Sequence, residues 1–138
     1  MADRARHDVL TAAAVAGVVS GVPSTVWTLR AGGDLVESSR AAGALLVGER
    51  RSAGLRLTAA VPVHAALSIG WSALLARTLP GRHEPLWGAV AGAGIAALDL
   101  GLIGRRIPAI AALAQGPQWA DHVAFGAAVG IVLHARRR

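Results

Sequence analysis

Four ionisable residues sit inside or at the mouth of long apolar runs: His64, Asp99, and the adjacent pair Asp121 and His122. Imidazole exchanges protons near neutral pH, and carboxylates pair with it, so such a set suits proton relay or ion passage. Two histidines and two aspartates also match the donors of a divalent metal site. They come from three separate segments with no local ligand spacing, which argues against a dedicated metal centre. A haem held by His64 and His122 is disfavoured because few aromatics surround either. There is no Cys, so disulfides and thiolate sites are excluded. No nucleophile elbow, phosphate-binding loop or zinc-protease helix is present. The sequence therefore leans away from an enzyme, and it assigns no catalytic residue, metal or cofactor.

Each residue also has a structural reading. His64 could be satisfied by Ser68 or by a neighbouring carbonyl. Asp99 could tie two helices through a His or Arg. Asp121 could cap the last helix. Asp121 and His122 are neighbours in sequence, so on a helix they point about 100° apart and cannot share one partner. His83, Glu84, His7 and His134 fall in loops or near termini and read as surface residues.

The runs that carry these groups set the fold class. Hydrophobic residues make up 54% of the 138-residue chain and charged residues 16%, below the roughly 25% charged of soluble domains. Crossing a bilayer takes about 20 apolar residues, and four segments approach or reach that length: 9–29, 57–79, 86–104 and 118–135, the last being the weakest. Residues 34–47 are too short to cross and predict a short interfacial helix between the first two spans. Pro and Gly in LPGRHEP, from Leu79 to Pro85, predict a tight turn. The expectation is one domain over 1–138: an all-α integral membrane bundle of four transmembrane helices plus the interfacial helix. The first run follows Arg4 and Arg6 as a signal peptide would, but it is long for one and lacks a small-residue cleavage motif, so an uncleaved span is expected.

Small residues at i and i+4 let membrane helices approach closely. Gly17/Gly21, Gly88/Gly92 and Gly126/Gly130 have this spacing, and His64, Ser68 and Ser72 repeat it on the second span. Asp99 lies about three turns beyond Gly88 on the same stripe, and His122 lies one turn before Gly126. The polar groups are thus expected to face packed neighbours. A charge facing lipid at the bilayer centre costs at least ~2.5–3.5 kcal/mol, which favours the same placement. By depth, His64, Asp99, Asp121 and His122 should converge on an intramembrane pocket in one leaflet, with Ser20, Ser24 and Thr25 nearby. Pro23 and Pro62 should free carbonyls one turn earlier.

The net charge of +6 comes from 14 arginines and no lysine. These flank the apolar runs rather than forming one basic face, which excludes nucleic acid as a partner and fits topology signals and phospholipid contacts. Seven arginines fall on each side of the bilayer. The cluster Arg136–Arg138 abutting its helix favours cytoplasmic termini. Trp27, Trp87 and Trp119 lie near span ends as interfacial anchors, and Trp71 lies deeper. The Ala/Gly/Val/Arg bias, with no Asn or Tyr, points to a GC-rich bacterial source.

Several stretches together resemble the YagU-like family of small bacterial inner-membrane proteins. They are VAGVVSG (Val15 to Gly21), the His64–Ser68 helix, LPGRHEPLWGAVAG (Leu79 to Gly92), the run with Asp99, IGRRIPAI (Ile103 to Ile110) and ADHVAFG (Ala120 to Gly126). They cover about two-thirds of the chain. The present chain is shorter, has a reduced connector after the first span, and carries Asp121 just before the His. The resemblance implies a four-helix inner-membrane protein and no particular activity. The leading expectation is a membrane accessory or interaction protein whose partners are the lipid bilayer and a second copy or another membrane protein. The alternatives are a small transporter or proton-conducting oligomer, and a metal- or haem-binding membrane protein.

Overall fold

A computed structural model describes residues 2–138. Every regular element among them is helical: α1 (Ala2–Val19), α2 (Val22–Ala31), α3 (Glu37–Val47), α4 (Ala53–Thr78), α5 (Glu84–Ala96), α6 (Pro108–Ala111) and α7 (Gln115–Arg137). Between α5 and α6 the helix widens into a π-helical segment, Ala97–Ile103, then tightens into a 3-10 turn, Gly104–Arg106. Three helical stretches are long and apolar enough to cross a membrane: Asp3–Ala31, Ala53–Thr78 and Glu84–Arg106. At 23 residues α7 spans about 34 Å. Gln118, Asp121, His122 and His134 make it less apolar, and it falls outside that set.

The first expected span is two helices. Pro23 lacks an N–H and its ring crowds the carbonyl four residues earlier, and the helix breaks at Ser20–Gly21. The α2 helix ends at Gly32, whose φ of 67° is left-handed and whose N–H returns to the Thr28 carbonyl. By contrast Pro62 sits inside α4 without ending it. Ser52 caps α4 by accepting the Leu55 N–H at 3.3 Å.

The connector segment expected over 34–47 folds as a turn followed by α3. Asp34 Oδ1 accepts the Val36 N–H at 3.0 Å, and the other carboxylate oxygen pairs with Arg40. The Val36 N–H and then the Arg40 guanidinium hold the Asp34 carboxyl below its ordinary value of 3.8. A depressed folded pKa makes this contact fully stabilising above the ordinary carboxylate range and removes it as pH falls through the folded value. We expect the protection of the Val36 amide, taken relative to its intrinsic exchange rate at each pH, to hold at neutral pH and to be lost only below the usual aspartate range. A loss of protection that begins near neutral pH would contradict the assignment. Further along α3, Gly43 lies against the Arg56 carbonyl, where a Cβ would collide with backbone.

The α7 helix is central. It runs antiparallel to α5, because Glu84 at the start of α5 meets His134 and Arg137 near the end of α7 while Gly92 meets His122. The α1 helix packs against both α7 and α4. Ala12, Ala16, Leu75, Ile95, Phe125, Val129 and Leu133 form the main core. A second cluster of Ala41, Ala96, Leu100, Ile110 and Leu113 joins α3 to the π segment and α6. The outside remains apolar: Val18, Leu29, Val61, Leu86 and Ile131 are each more than half exposed.

Candidate functional site

Glycine brings α5 and α7 together. A methyl group on Gly88 would strike the Gly126 carbonyl, and one on Gly126 would strike the Gly88 carbonyl. Gly92 faces the backbone of His122 and Val123, and Gly130 faces the carbonyl of Glu84. A Cβ on Gly17 would meet the Ser68 hydroxyl and the His64 ring on α4 at tight to ordinary van der Waals distance, while one on Gly21 would meet nothing.

This backbone contact positions the polar residues. Asp99 lies in the π segment, a wide turn of the kind that recurs at functional positions. Its Oδ2 accepts the Trp71 indole N–H at 3.3 Å and lies 3.5 Å from His122 Nε2. His122 Nδ1 lies 2.8 Å from the Gln118 carbonyl, which can only accept, so Nδ1 carries a proton. His122 Nε2 and Asp99 Oδ2 face each other at a separation longer than a normal hydrogen bond, so the contact is an ion pair only when the ring carries a second proton. The side chains are 24% and 19% exposed in the isolated chain.

The four residues expected in one pocket separate into three contacts. Asp121 turns away from His122 and accepts the Ser24 N–H at 2.9 Å, tying α7 to the first turn of α2. His64 donates from Nε2 to the Gly17 carbonyl at 2.8 Å. That carbonyl belongs to the last turn of α1, whose carbonyls lose their helical partners at the break before Pro23. Ser68 is buried beside it, and Ser72, one turn further, is fully buried with no partner for its hydroxyl among the described residues. Among those residues no three His, Asp or Glu side chains gather as metal ligands. A cavity of about 160 Å³ opens between α2, α3 and the start of α7, lined by Ser24, Trp27, Asp34, Glu37 and Gln118. A shallow apolar groove runs along α4 at Leu67, Gly70 and Trp71. Neither Asp99 nor His122 lines either one.

The strongest polar cluster lies where surface residues were expected. Glu84 is 1% exposed, the most buried charged residue among those described. Its Oε1 meets Arg137 Nη1 at 2.5 Å and its Oε2 meets His134 Nδ1 at 3.0 Å. Arg137 Nη2 also donates to the Ala76 carbonyl near the end of α4 at 2.6 Å. Glu84 is buried because the Gly130 contact seats the first turn of α5 directly on α7. The signal was present in the spacing. Glu84 lies one turn before Gly88, and His134 lies one turn beyond Gly130. Extending each glycine stripe by one turn would have placed both inward. At the same end Arg136 pairs with Asp8 and Arg4 reaches the Arg136 carbonyl, which joins α1 to the cluster.

No protein-family model, characterised protein or solved structure matches this chain.

Proposed function

We propose that this chain is a small multi-pass protein of the bacterial inner membrane that acts by association, with a second copy of itself or with another membrane protein. The proposal comprises four spans with α7 as the last, α3 lying at the interface, and cytoplasmic termini. It includes membership of the YagU-like family, which implies the same four-helix fold. One observation carries the reading. Four ionisable side chains within the apolar helices join one element to another: His64 to Gly17, Asp99 to Trp71 and His122, Asp121 to Ser24. Large apolar side chains meanwhile cover the outside. In lipid the unmade alternative to each tie is an unsatisfied polar group, so such ties hold helices in register.

The test is Asp99→Asn in proteoliposomes loaded with a pH-sensitive dye. The association reading expects altered assembly or abundance and no proton flux in either protein. A pH-dependent flux in the unchanged protein that Asp99→Asn abolishes, with the fold retained, would overturn it. That outcome would favour the second reading, a proton-conducting oligomer. The observation behind that reading is the proximity of Asp99 and His122, 3.5 Å apart, since His and Asp pairs are common relay groups in membranes.

A further inference from the structure

We infer that the corner formed by the loop after α3 and the turn before α6 binds the head group of an acidic phospholipid. Glu49 Oε1 accepts the Ala109 N–H at 2.6 Å and pins the two connectors together. Arg50 and Arg51 follow Glu49 directly, and Arg105 and Arg106 lie in the 3-10 turn just before α6. This one hydrogen bond therefore gathers two arginine pairs at one corner. All four are exposed, and none forms an ion pair among the described residues. The Glu49 carboxylate offsets one of these four positive charges, and the corner keeps a positive excess. Arg56, in the first turns of α4 and packed against α3, adds a buried Nε with no hydrogen-bond partner.

Like charges in excess repel, and a bound anion relieves that repulsion. Guanidinium groups match phosphate by forked, charge-assisted hydrogen bonds. The apolar surroundings choose the kind of anion. Leu46, on the last turn of α3, is 61% exposed, and Leu102, just before the arginine turn, is 53% exposed. Bare apolar side chains next to both arginine pairs suit an amphiphile with acyl chains and a phosphate head rather than a free phosphate. Basic pockets at the ends of membrane helices bind head groups in this way. The other bundle end differs, because Arg136 and Arg137 are already paired with Asp8 and Glu84.

This inference rests on the membrane reading, and one set of measurements separates the two. Alkaline extraction of membranes from cells making the full chain tests insertion: release into the soluble fraction ends both proposals. If the chain stays with the membrane, native mass spectrometry in mild detergent follows, with added cardiolipin or added phosphatidylcholine. The unchanged protein is expected to retain cardiolipin in preference to phosphatidylcholine. The variant R50Q/R51Q/R105Q/R106Q should lose about tenfold or more in that retention, because its four arginines act together on one bound head group, each contributing about severalfold at that site. The control R6Q/R82Q/R138Q removes exposed arginines from the opposite end and should change retention by less than about twofold. Equal losses in the two variants, or no preference for cardiolipin in the unchanged protein, would overturn the site while leaving the membrane reading in place.

Discussion

Replacing Gly126 with valine should force α5 and α7 apart, with a large loss of stability. The new side chain would have to occupy the space of the Gly88 carbonyl and the Gly92 Cα. Overpacking a core usually costs about 1–3 kcal/mol, because neighbouring side chains rotate or shift to make room. Here the obstacle is backbone held in a helical hydrogen-bond ladder, which cannot rotate away. The cost should reach or exceed the top of that range, about 3 kcal/mol. Four glycines form a double row, so separation at Gly126 also loosens Gly88, Gly92 and Gly130. It withdraws His122 from Asp99 at one end and His134 from Glu84 at the other. Gly94→Ala and Gly70→Ala are the matched controls. A Cβ at either position meets nothing within 4 Å, and alanine is the better helix former by up to about 1 kcal/mol in water. Thermal unfolding in a single detergent, read by tryptophan fluorescence, should show a much lower midpoint for Gly126→Val and an unchanged or raised one for the controls. Identical midpoints across all three would sink the close-contact account.

That seam was largely legible in the sequence, since the i, i+4 spacing of Gly88/Gly92 and Gly126/Gly130 is a local property. The pairing of one stripe with the other is not local. Gly17/Gly21 has the same spacing, yet only at Gly17 would a Cβ meet a neighbour, because the helix breaks at Ser20–Gly21. The break had a visible cause in Pro23, but Pro62 carries the same chemistry and leaves α4 continuous. Which proline interrupts a helix depends on what surrounds it, which a single segment does not report. The stripe argument placed Asp99 and His122 toward packed neighbours. Their mutual contact also depends on the π segment at Ala97–Ile103, for which the run of Ala, Leu and Gly gave no warning. Depth alone could not show that His64 would find the Gly17 carbonyl, because that acceptor exists only once α1 ends. Glu84 and His134 were misread for a different reason. Their positions beside a turn and a terminus outweighed their place on the glycine stripes, although the stripe is what decides burial.

The asymmetric burial of the Glu84 cluster leads to an unequal outcome from its two simplest disruptions. The Glu84 side chain is 2% exposed, and the Arg137 side chain is 37% exposed. Arg137→Gln leaves a carboxylate inside the helix seam with His134 as its remaining side-chain partner, and removes the donor to the Ala76 carbonyl. Breaking a buried pair from one side costs roughly 3–5 kcal/mol, because the surviving charge stays desolvated. Glu84→Gln leaves a guanidinium that can turn toward water or lipid head groups and keep its bond to Ala76. The glutamine can still accept from His134, so the cost should be nearer 1–2 kcal/mol, typical of a lost charged hydrogen bond. The double variant E84Q/R137Q removes both charges and should be more stable than Arg137→Gln alone, since no ionised group remains buried without its partner. A double-mutant cycle in unfolding free energy reads this directly. Strong positive coupling, with the second substitution rescuing the first, is the expected result. Equal, small and additive costs for the two single variants would mean that Glu84 reaches solvent or exchanges its proton freely. The α5–α7 seam would then be held by its glycines without help from the cluster at its end.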